Sequence, residues 1–483
     1  MKALHCVWVL ALLAGCAVGP HYRTPKTAAP DQWGETLKGG AAAKPVELAQ
    51  WWTLFKDPTL DSLIERAVVS NLDLRIAEAR VREARAARGY SLADFLPLGA
   101  ASATYKHAQI KKPSAGPTGI VGTIGAIAGV GQPDIKRQVD LHQAGFDASW
   151  ELDVFGGNRR AAQAAKADVD AARDNRNGVL VTLMAEVARN YLDLRGSQNR
   201  LTIAEENIKG QQETLELTRA RHQAGLTSEL DVKRAEAQLS STQSQVPNLE
   251  TACRLAVHRL GVLLGQAPGA LSEELSAQAA LPAAPPEVPV GLPSDLLRRR
   301  PDVAASERQL AAATARVGEA QAEWFPKFSL TGSLTLEASA LDGLTSGANR
   351  MWSFGPSVRW PILDAAHIWS NVKLKNARQE QALQQFQKSV LTALEDTENA
   401  LAAYANEQTR LHALEQTVDA NRQAVNMANE LYSKGLVDFL NVLDGERSLY
   451  SAEDQMVQSR TTVLTNLVAL YKALGGGWEA VTP

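Results

Sequence analysis

The sequence contains few cysteines, and this scarcity excludes several kinds of site. Only three occur in 483 residues, Cys6, Cys16 and Cys253, and no CxxC pair or Cys/His metal-site spacing is present. Cys6 and Cys16 lie in an N-terminal signal region, so Cys253 has no partner for an internal disulfide bond. Because it lies in an apolar helical stretch, we expect a small buried side chain there.

Aromatic residues, excess charge and catalytic motifs are also scarce. Aromatics make up 6% of the chain, and the net charge of −3 comes with no Lys/Arg-rich block, so no nucleic-acid partner is expected. The sequence has no GxSxG, HExxH or GxxxxGK[ST] pattern and no cluster of paired carboxylates, and its eight histidines are scattered. We therefore predict that the protein is not an enzyme and has no metal and no cofactor.

The N-terminus has the pattern of a bacterial lipoprotein signal. A basic start and a short apolar run over residues 7–13 lead into the lipobox-like tetrapeptide LAGC at residues 13–16. We predict that Cys16 becomes the first residue and carries diacylglycerol and an N-linked acyl chain such as palmitate. The alternative is ordinary cleavage with Cys16 unmodified. Ala17, in place of an aspartate, favours sorting to the bacterial outer membrane.

Four segments have the alternation of membrane strands. No apolar run of eighteen residues follows the signal, so any membrane crossing has to be made by strands. Apolar and polar residues alternate around 95–105, 146–154, 328–336 and 352–360, near the length a membrane strand needs. A half-buried soluble sheet has the same alternation. If the strands span a membrane, four cannot close a barrel, and several chains must share one.

The chain is a duplicated unit. Residues 71–97 align with residues 300–326, and the Gly225-Leu226 pair aligns with Gly435-Leu436. The first copy carries an insertion within residues 106–140, which we interpret as a surface loop between two strands. Each copy contains a long proline-free helical pattern, from Asn158 to His222 in the first, and sixty-odd residues make a rod of ~100 Å. Such length favours coiled-coil-like packing.

A proline-rich connector joins the two copies. It ends in the run Arg298-Arg299-Arg300, which we interpret as a solvated helix end. Ser294 is a candidate N-cap for the short helix before Pro301, and Pro247 predicts a kink in the returning helix of the first copy. The sequence predicts five segments in all. A signal peptide (1–15) is followed by a lipidated extension (16–56), and a connector across the outside of the tube (267–300) separates two repeats. The first repeat (57–266) contains a β-hairpin at about 95–155 and a helical hairpin at 157–265, and the second (301–476) contains a β-hairpin at about 326–361 and a helical hairpin at 366–474.

These residues resemble the TolC-like outer-membrane efflux factors, in particular their lipoprotein (NodT-type) branch. The segment CAVGPHYRTP at 16–25 is similar to that branch's mature N-terminus, although an acidic residue is more usual at His21, and GLPSDLLRRRPD at 291–302 is similar to its signature between the repeats. The resemblance implies an α+β membrane protein, a homotrimer whose twelve-stranded β-barrel stands on a periplasmic α-helical tube. It also implies a periplasmic adaptor (membrane fusion) protein and an inner-membrane transporter of the resistance-nodulation-division type as partners.

The resemblance also implies two sets of site residues. The tips that meet the adaptor would be Gly225, Leu226, Thr227 and Ser228 in the first repeat and Gly435, Leu436, Val437 and Asp438 in the second. The periplasmic gate would contain Asp231, Asn441 and Asp444. Because Asn441 and Asp444 are three residues apart, they share one helical face, and in a trimer Asp444 would form a ring of carboxylates. The alternative is that Asp231 and Asp444 are solvated acids near helix starts.

The predicted function is the exit duct of a tripartite efflux system that passes small molecules to the outside. An outer-membrane channel for type I protein secretion is the alternative within the same architecture. A coiled-coil tether or adhesin stalk would explain the helices and the lipid, but neither the four amphipathic strands nor the duplication.

Overall fold

The computed structural model describes residues 17–26, 30–35, 41–42, 48–111, 136–285 and 288–481. The predicted signal peptide, Cys16 and residues 112–135 of the predicted insertion lie outside the described residues. The described chain forms two compact units. The first contains the described residues that fall within 1–22, 86–166 and 312–379, and the second contains those within 23–85, 167–311 and 380–483.

The described helices and strands follow the same order in the two halves of the chain. The bounds are β1 Ala41–Ala42, α1 Pro58–Ser70, α2 Leu72–Ala93, β2 Leu98–Lys111, β3 Lys136–Leu152, α3 Gly157–Gln223, α4 Glu229–Gln243, α5 Val246–Leu263, β4 Val288–Pro289, α6 Pro293–Arg299, α7 Pro301–Ala322, β5 Lys327–Ala338, β6 Arg350–Arg359, α8 Ala365–Ser433 and α9 Phe439–Ala473. The order α2-β2-β3-α3-α4-α5 recurs as α7-β5-β6-α8-α9, with α9 taking the place of α4 and α5. This is the expected α+β fold of strand hairpins and long helical hairpins.

The first unit holds a four-stranded antiparallel sheet of order β2-β3-β5-β6. Strands β2 and β6 are its edges, and each has one neighbour among the described strands. Large apolar side chains on the sheet are exposed in the single chain, including Phe146, Trp352 and Phe354. Soluble proteins rarely leave a continuous apolar face uncovered, so this sheet is built to contact something other than water.

A tryptophan forms the same hydrogen bond in both repeats at the end of the sheet where β2 and β5 begin, which we call the base of the sheet. The indole N–H of Trp150 donates to the carbonyl oxygen of Phe95 at 2.8 Å, and that of Trp360 donates to the carbonyl oxygen of Trp324 at 3.1 Å. In each repeat the acceptor lies two residues before the proline that precedes the strand. An indole has an apolar body and one polar N–H, so this bond satisfies its only donor while the ring stays at the surface.

In the second unit, a buried aromatic pair joins the segment before α1 to the end of α9. The ring of Trp51 stacks on Tyr471 with centroids 5.3 Å apart, and both side chains are buried. Helix α1 begins at Asp57, whose carboxylate caps the backbone amides of Thr59 and Leu60 and accepts the hydroxyl of Tyr191. The extension and the connector meet in this unit, where β1 pairs with β4 in parallel.

Several local predictions need correction. Ser294 is not the N-cap of α6, because the helix begins at Pro293 and Leu292 occupies the cap. Pro247 does more than kink the helix: α4 ends at Gln243 and α5 starts at Val246, so the proline falls in a first turn, where its missing N–H costs nothing. Cys253 is only half-buried.

The interpretation of the arginine triplet as a solvated helix end is wrong for Arg300. This side chain is buried and forms ion pairs with Asp302 and Asp396 at 2.7 and 2.9 Å. It also donates to the carbonyl oxygen of Ala473, at the end of α9. The guanidinium therefore joins the start of α7, the middle of α8 and the end of α9, and its charge is paired as burial requires.

Within the described ranges, none of the helices combines the length and apolarity needed to cross a membrane.

Candidate functional site: the tips of the helical hairpins

The two helical hairpins reverse direction through turns of the same geometry. The amide of Gly225 donates to the carbonyl of His222, and that of Leu226 donates to the carbonyl of Arg221. The second hairpin repeats this pattern from Gly435 and Leu436. Both glycines have a left-handed backbone, with φ of 73° and 72°. This is the Schellman ending of a helix, in which glycine avoids the strain of a Cβ.

The helices that follow the turns start differently. Ser228 caps α4, and its hydroxyl and the carboxylate of Asp231 form a reciprocal capping box. In the second repeat, Asp438 occupies the cap position without a side-chain cap, and Asn441 donates its own side chain weakly to the Asp438 carbonyl at 3.4 Å. The predicted tip residues therefore lie at both turns, but among the two helices that follow the turns only α4 starts with a side-chain cap.

Asp231 is engaged by its own turn. Its Oδ2 atom accepts the hydroxyls of Thr227 and Ser228 at 2.7 and 2.8 Å, and Arg234 lies 3.7 Å from Oδ1. Partial burial alone would raise the pKa of Asp231, but the hydrogen bonds from Thr227 and Ser228 outweigh burial and lower the pKa below its usual value. The carboxylate is thus anionic and oriented at neutral pH.

Asn441 and Asp444 lie on one exposed face of α9. Among the described residues, no hydrogen bond or ion pair engages the Asp444 carboxylate. Its neighbours Val442 and Leu443 are buried, so the helix presents an apolar side inward and these two polar side chains outward. Asp444 is therefore free to interact with an ion or a second chain, whereas Asp231 is largely satisfied within its own chain.

An apolar cluster joins the two hairpins just behind the tips. It contains Leu215, Val232, Ala235, Tyr432, Phe439, Val442 and Leu443. The guanidinium of Arg221 lies over the ring of Tyr432, 4.5 Å from its centroid, and donates to the Tyr432 carbonyl at 3.0 Å. Sequence reasoning missed this contact. The only signal was a departure from the repeat, since Leu431 stands where the first copy has Arg221.

A half-buried acid, Glu446, lies further along the contact between the two hairpins. Glu446 of α9 accepts the hydroxyl of Thr214 of α3 at 2.8 Å, and burial raises its pKa above the usual value while that hydrogen bond opposes the shift. The equivalent acid of the first repeat, Glu236, is instead paired at the surface with Arg219 and Lys233. The duplicated acids therefore serve different contacts, one within a hairpin and one between hairpins.

Each tip exposes a pair of leucines. Leu226 and Leu230 in the first repeat are 67% and 57% exposed, and Leu436 and Leu440 in the second are 68% and 45% exposed. The members of a pair are four residues apart and fall at equivalent positions in the two repeats. Surface leucines are common singly, but here an exposed pair recurs at both turns.

Comparison with known proteins identifies the family. The outer membrane efflux protein family matches residues 63–266 and 292–476, which together make up most of the chain. The chain belongs to the outer membrane efflux protein family.

Relatives of the efflux protein align along nearly their whole length. The pyoverdine export outer membrane protein OpmQ of Pseudomonas aeruginosa is 34% identical, covering 99% of this chain and 98% of its own. Nodulation protein T of Rhizobium leguminosarum bv. trifolii is 30% identical over 97% and 96% of the two chains. The solved structure of the outer-membrane channel OprN is 38% identical, with a TM-score of 0.88 over 96% of this chain and 100% of that chain. The efflux protein is therefore an outer-membrane efflux component with the fold of such channels.

Proposed function

We propose that this efflux protein is the lipid-anchored exit duct of a tripartite system, which passes small molecules from a periplasmic adaptor and an inner-membrane pump to the outside. The observation that supports this most directly is the repeated tip, where two nearly equivalent helical turns expose matching leucine pairs in a chain of the efflux family. The pump class we propose is resistance-nodulation-division, as the lipoprotein signature implies.

The duct is proposed to be a homotrimer. Strands β2 and β6 are the edges of the four-stranded sheet, and unpaired strand edges are not tolerated in hydrocarbon. Pairing β6 of one copy with β2 of the next satisfies both edges and is a head-to-tail contact that closes into a ring. Three copies then supply a closed sheet of twelve strands, within the range known for outer-membrane proteins.

The adaptor is proposed to dock on the two tips. Leu226 and Leu436 project from rigid glycine turns, so they lose little conformational freedom on binding. Because the two tips of one chain are nearly equivalent, the adaptor would meet both with the same kind of apolar surface. Asp438 and Ser228 supply a polar rim around each leucine, as is common at interfaces.

The gate is proposed to lie just inside the tips. Asp444 of three copies would form a ring of carboxylates, and Asn441 would place a ring of neutral amides beside it. One acidic ring carries fewer charges than two, so we expect weaker binding of cations than in a doubly acidic entrance. Asp231 is proposed to support the ring indirectly, because its carboxylate is already bound by Thr227 and Ser228.

The lipid anchor is proposed at Cys16, on the lipobox. Mass spectrometry of the N-terminal peptide is the direct test, and the expected mass includes diacylglycerol and an N-acyl chain. An unmodified Cys16 would refute the lipid anchor but would leave the proposal of an exit duct unaffected. Replacing Cys16 should remove the lipid but leave transport, because the strands also hold the protein in the membrane.

Transport itself is tested in two assays. Purified protein should give discrete conductance steps in a planar bilayer, and a strain that lacks its outer-membrane channel should regain small-molecule efflux when this chain is supplied with its adaptor and pump. If the protein gives no conductance and does not restore efflux, the proposal that it is an exit duct is wrong. Secretion of a protein substrate with unchanged susceptibility to small toxic molecules would favour type I export instead.

A further inference from the structure

The segment directly after Cys16 lies against the base of the sheet. The amide of Val18 donates to the carbonyl of Phe155 at 3.1 Å. The side chain of Arg160, which is buried, donates from Nε to the Val18 carbonyl at 3.0 Å and from Nη2 to the Gly19 carbonyl at 3.1 Å. Hydrogen bonds from a charged donor are about twice as strong as neutral ones, so Arg160 is the main polar contact of this segment.

Three glycines make room for the segment. Gly19 has a left-handed backbone, and a Cβ there would lie 2.3 Å from the Cα of Gly318. A Cβ on Gly156 would lie 2.7 Å from the Cα of Ala17, and one on Gly318 would lie 3.0 Å from Nε of Arg160. Side chains at these positions would therefore collide with the segment or with the arginine that holds it.

The second repeat lacks this arrangement. By the alignment of the two copies, Ser370 stands where Arg160 would be, Ala366 replaces Gly156, and Gly89 matches Gly318. No atom lies within 4 Å of a Cβ built on Gly89. A feature of the fold itself would recur in both copies. The arginine and the close glycines occur only where the chain's single N-terminus passes, which indicates that they serve that segment.

We infer that Arg160, Gly156 and Gly318 form a docking site for the backbone of residues 17–19, and that this site fixes the lipidated N-terminus at the base of the sheet. The contacts to the segment are to its amide and carbonyl groups, so recognition depends on the backbone and on glycine at position 19.

The site gives the lipid a defined point of entry into the membrane. Phe155 follows strand β3 and stacks on Phe325 before strand β5, with ring centroids 4.5 Å apart, and the indole of Trp150 is hydrogen-bonded at the same end of the sheet. Aromatic residues mark the membrane interface in outer-membrane proteins. Acyl chains on Cys16 would therefore enter the bilayer beside the strands. This consequence rests on the proposed lipid attachment, whereas the docking does not.

Amide hydrogen exchange on the intact, detergent-solubilised protein tests the docking site. In the parent, the Val18 amide should exchange more slowly than an unstructured amide. Arg160→Gln removes two charge-assisted hydrogen bonds and should speed that exchange by roughly tenfold or more. Gly19→Ala perturbs the same contact from the segment's side, leaves the helix intact and should give the same result. Arg173→Gln is the matched control, because Arg173 is a surface arginine of the same helix that pairs with Asp170.

Each outcome decides the inference. Faster exchange at Val18 in both test variants, with parent-like exchange in Arg173→Gln, supports the docking site. A parent amide that exchanges at the unstructured rate, or protection that survives both substitutions, overturns it. The mass of the same N-terminal peptide reports the lipid separately, so a missing lipid would refute the anchor while leaving the docking result standing.

Discussion

Arg221 of the first helical hairpin lies over the ring of Tyr432 of the second and donates to its backbone carbonyl at 3.0 Å. Tyr432 is the penultimate residue of α8 and lies three residues before Gly435, so the arginine of one hairpin binds the last carbonyls of the other. A cation near a helix C-terminus is favoured by the helix dipole. The two tips are therefore coupled directly, beyond the apolar cluster behind them.

Arg221→Leu should loosen the second tip. The substitution copies Leu431 of the second repeat and removes one charged hydrogen bond and one cation–π contact, a loss of about 2 kcal/mol. The amides of Lys434, Gly435 and Leu436 should then exchange roughly thirtyfold faster. Arg219→Leu is the control, since Arg219 pairs with Glu236 at the surface of the first hairpin. If these amides exchange at the same rate in both variants, Arg221 does not stabilise the second tip.

Asp444→Ala should weaken block of the channel by multivalent cations applied from the periplasmic side and should raise its resting conductance. Asn441→Asp should do the opposite, because a second carboxylate per chain strengthens the attraction for cations in a narrow pore. Single-channel recording measures both. Glu430→Ala is the matched control, an exposed acid near the same tip. If Asp444→Ala keeps parental block and conductance, Asp444 does not line the constriction.

Substituting serine for Leu226 and Leu436 should impair efflux while trimer and expression remain normal. Each exposed leucine that becomes buried against the adaptor contributes roughly 1.5–3 kcal/mol, so loss of both should reduce adaptor affinity more than tenfold. A Gly435→Trp variant should impair efflux as well, since its φ of 72° strains any side chain. Leu255→Ser, which removes an exposed leucine from α5, controls for surface polarity. Parental efflux in the double variant would exclude the tips as the docking surface.

The packing of the two helical hairpins against each other, which we call the seam, should become less stable as pH rises because of Glu446. Burial raises the pKa of this carboxyl in the folded state, so the folded protein binds the proton more tightly than the unfolded chain. The seam is therefore most stable below the ordinary glutamate pKa, and stability is lost as pH rises through the raised folded pKa. Glu446→Gln keeps an acceptor for Thr214 and should stabilise the seam at neutral pH. Urea dissociation of the hairpins followed between pH 4 and 8 should show a smaller pH dependence in this variant than in Glu236→Gln.

The duplication, the strands and the turns were all accessible from the sequence. Alternation of residues near 146–154 depends only on the period of a strand, and Gly225-Leu226 and Gly435-Leu436 mark helix endings because only glycine adopts a left-handed backbone without strain. The capping box of Ser228 and Asp231 is also a local pattern, with an acid three residues after the cap. Each of these features involves residues that are close together in the chain.

Contacts between distant parts of the chain were decided only by the tertiary structure. Arg221 meets Tyr432 across two hundred residues, Arg300 is buried against Asp396, and Arg160 reaches back to Val18. A lone arginine in a helical pattern is compatible with a solvated face or with a buried ion pair. A departure from the repeat, such as Leu431 at the position equivalent to Arg221, marks the residue but does not name its partner. The choice depends on which carbonyl or carboxylate the folded helices bring within reach, because a charge leaves water only where such partners replace its hydration.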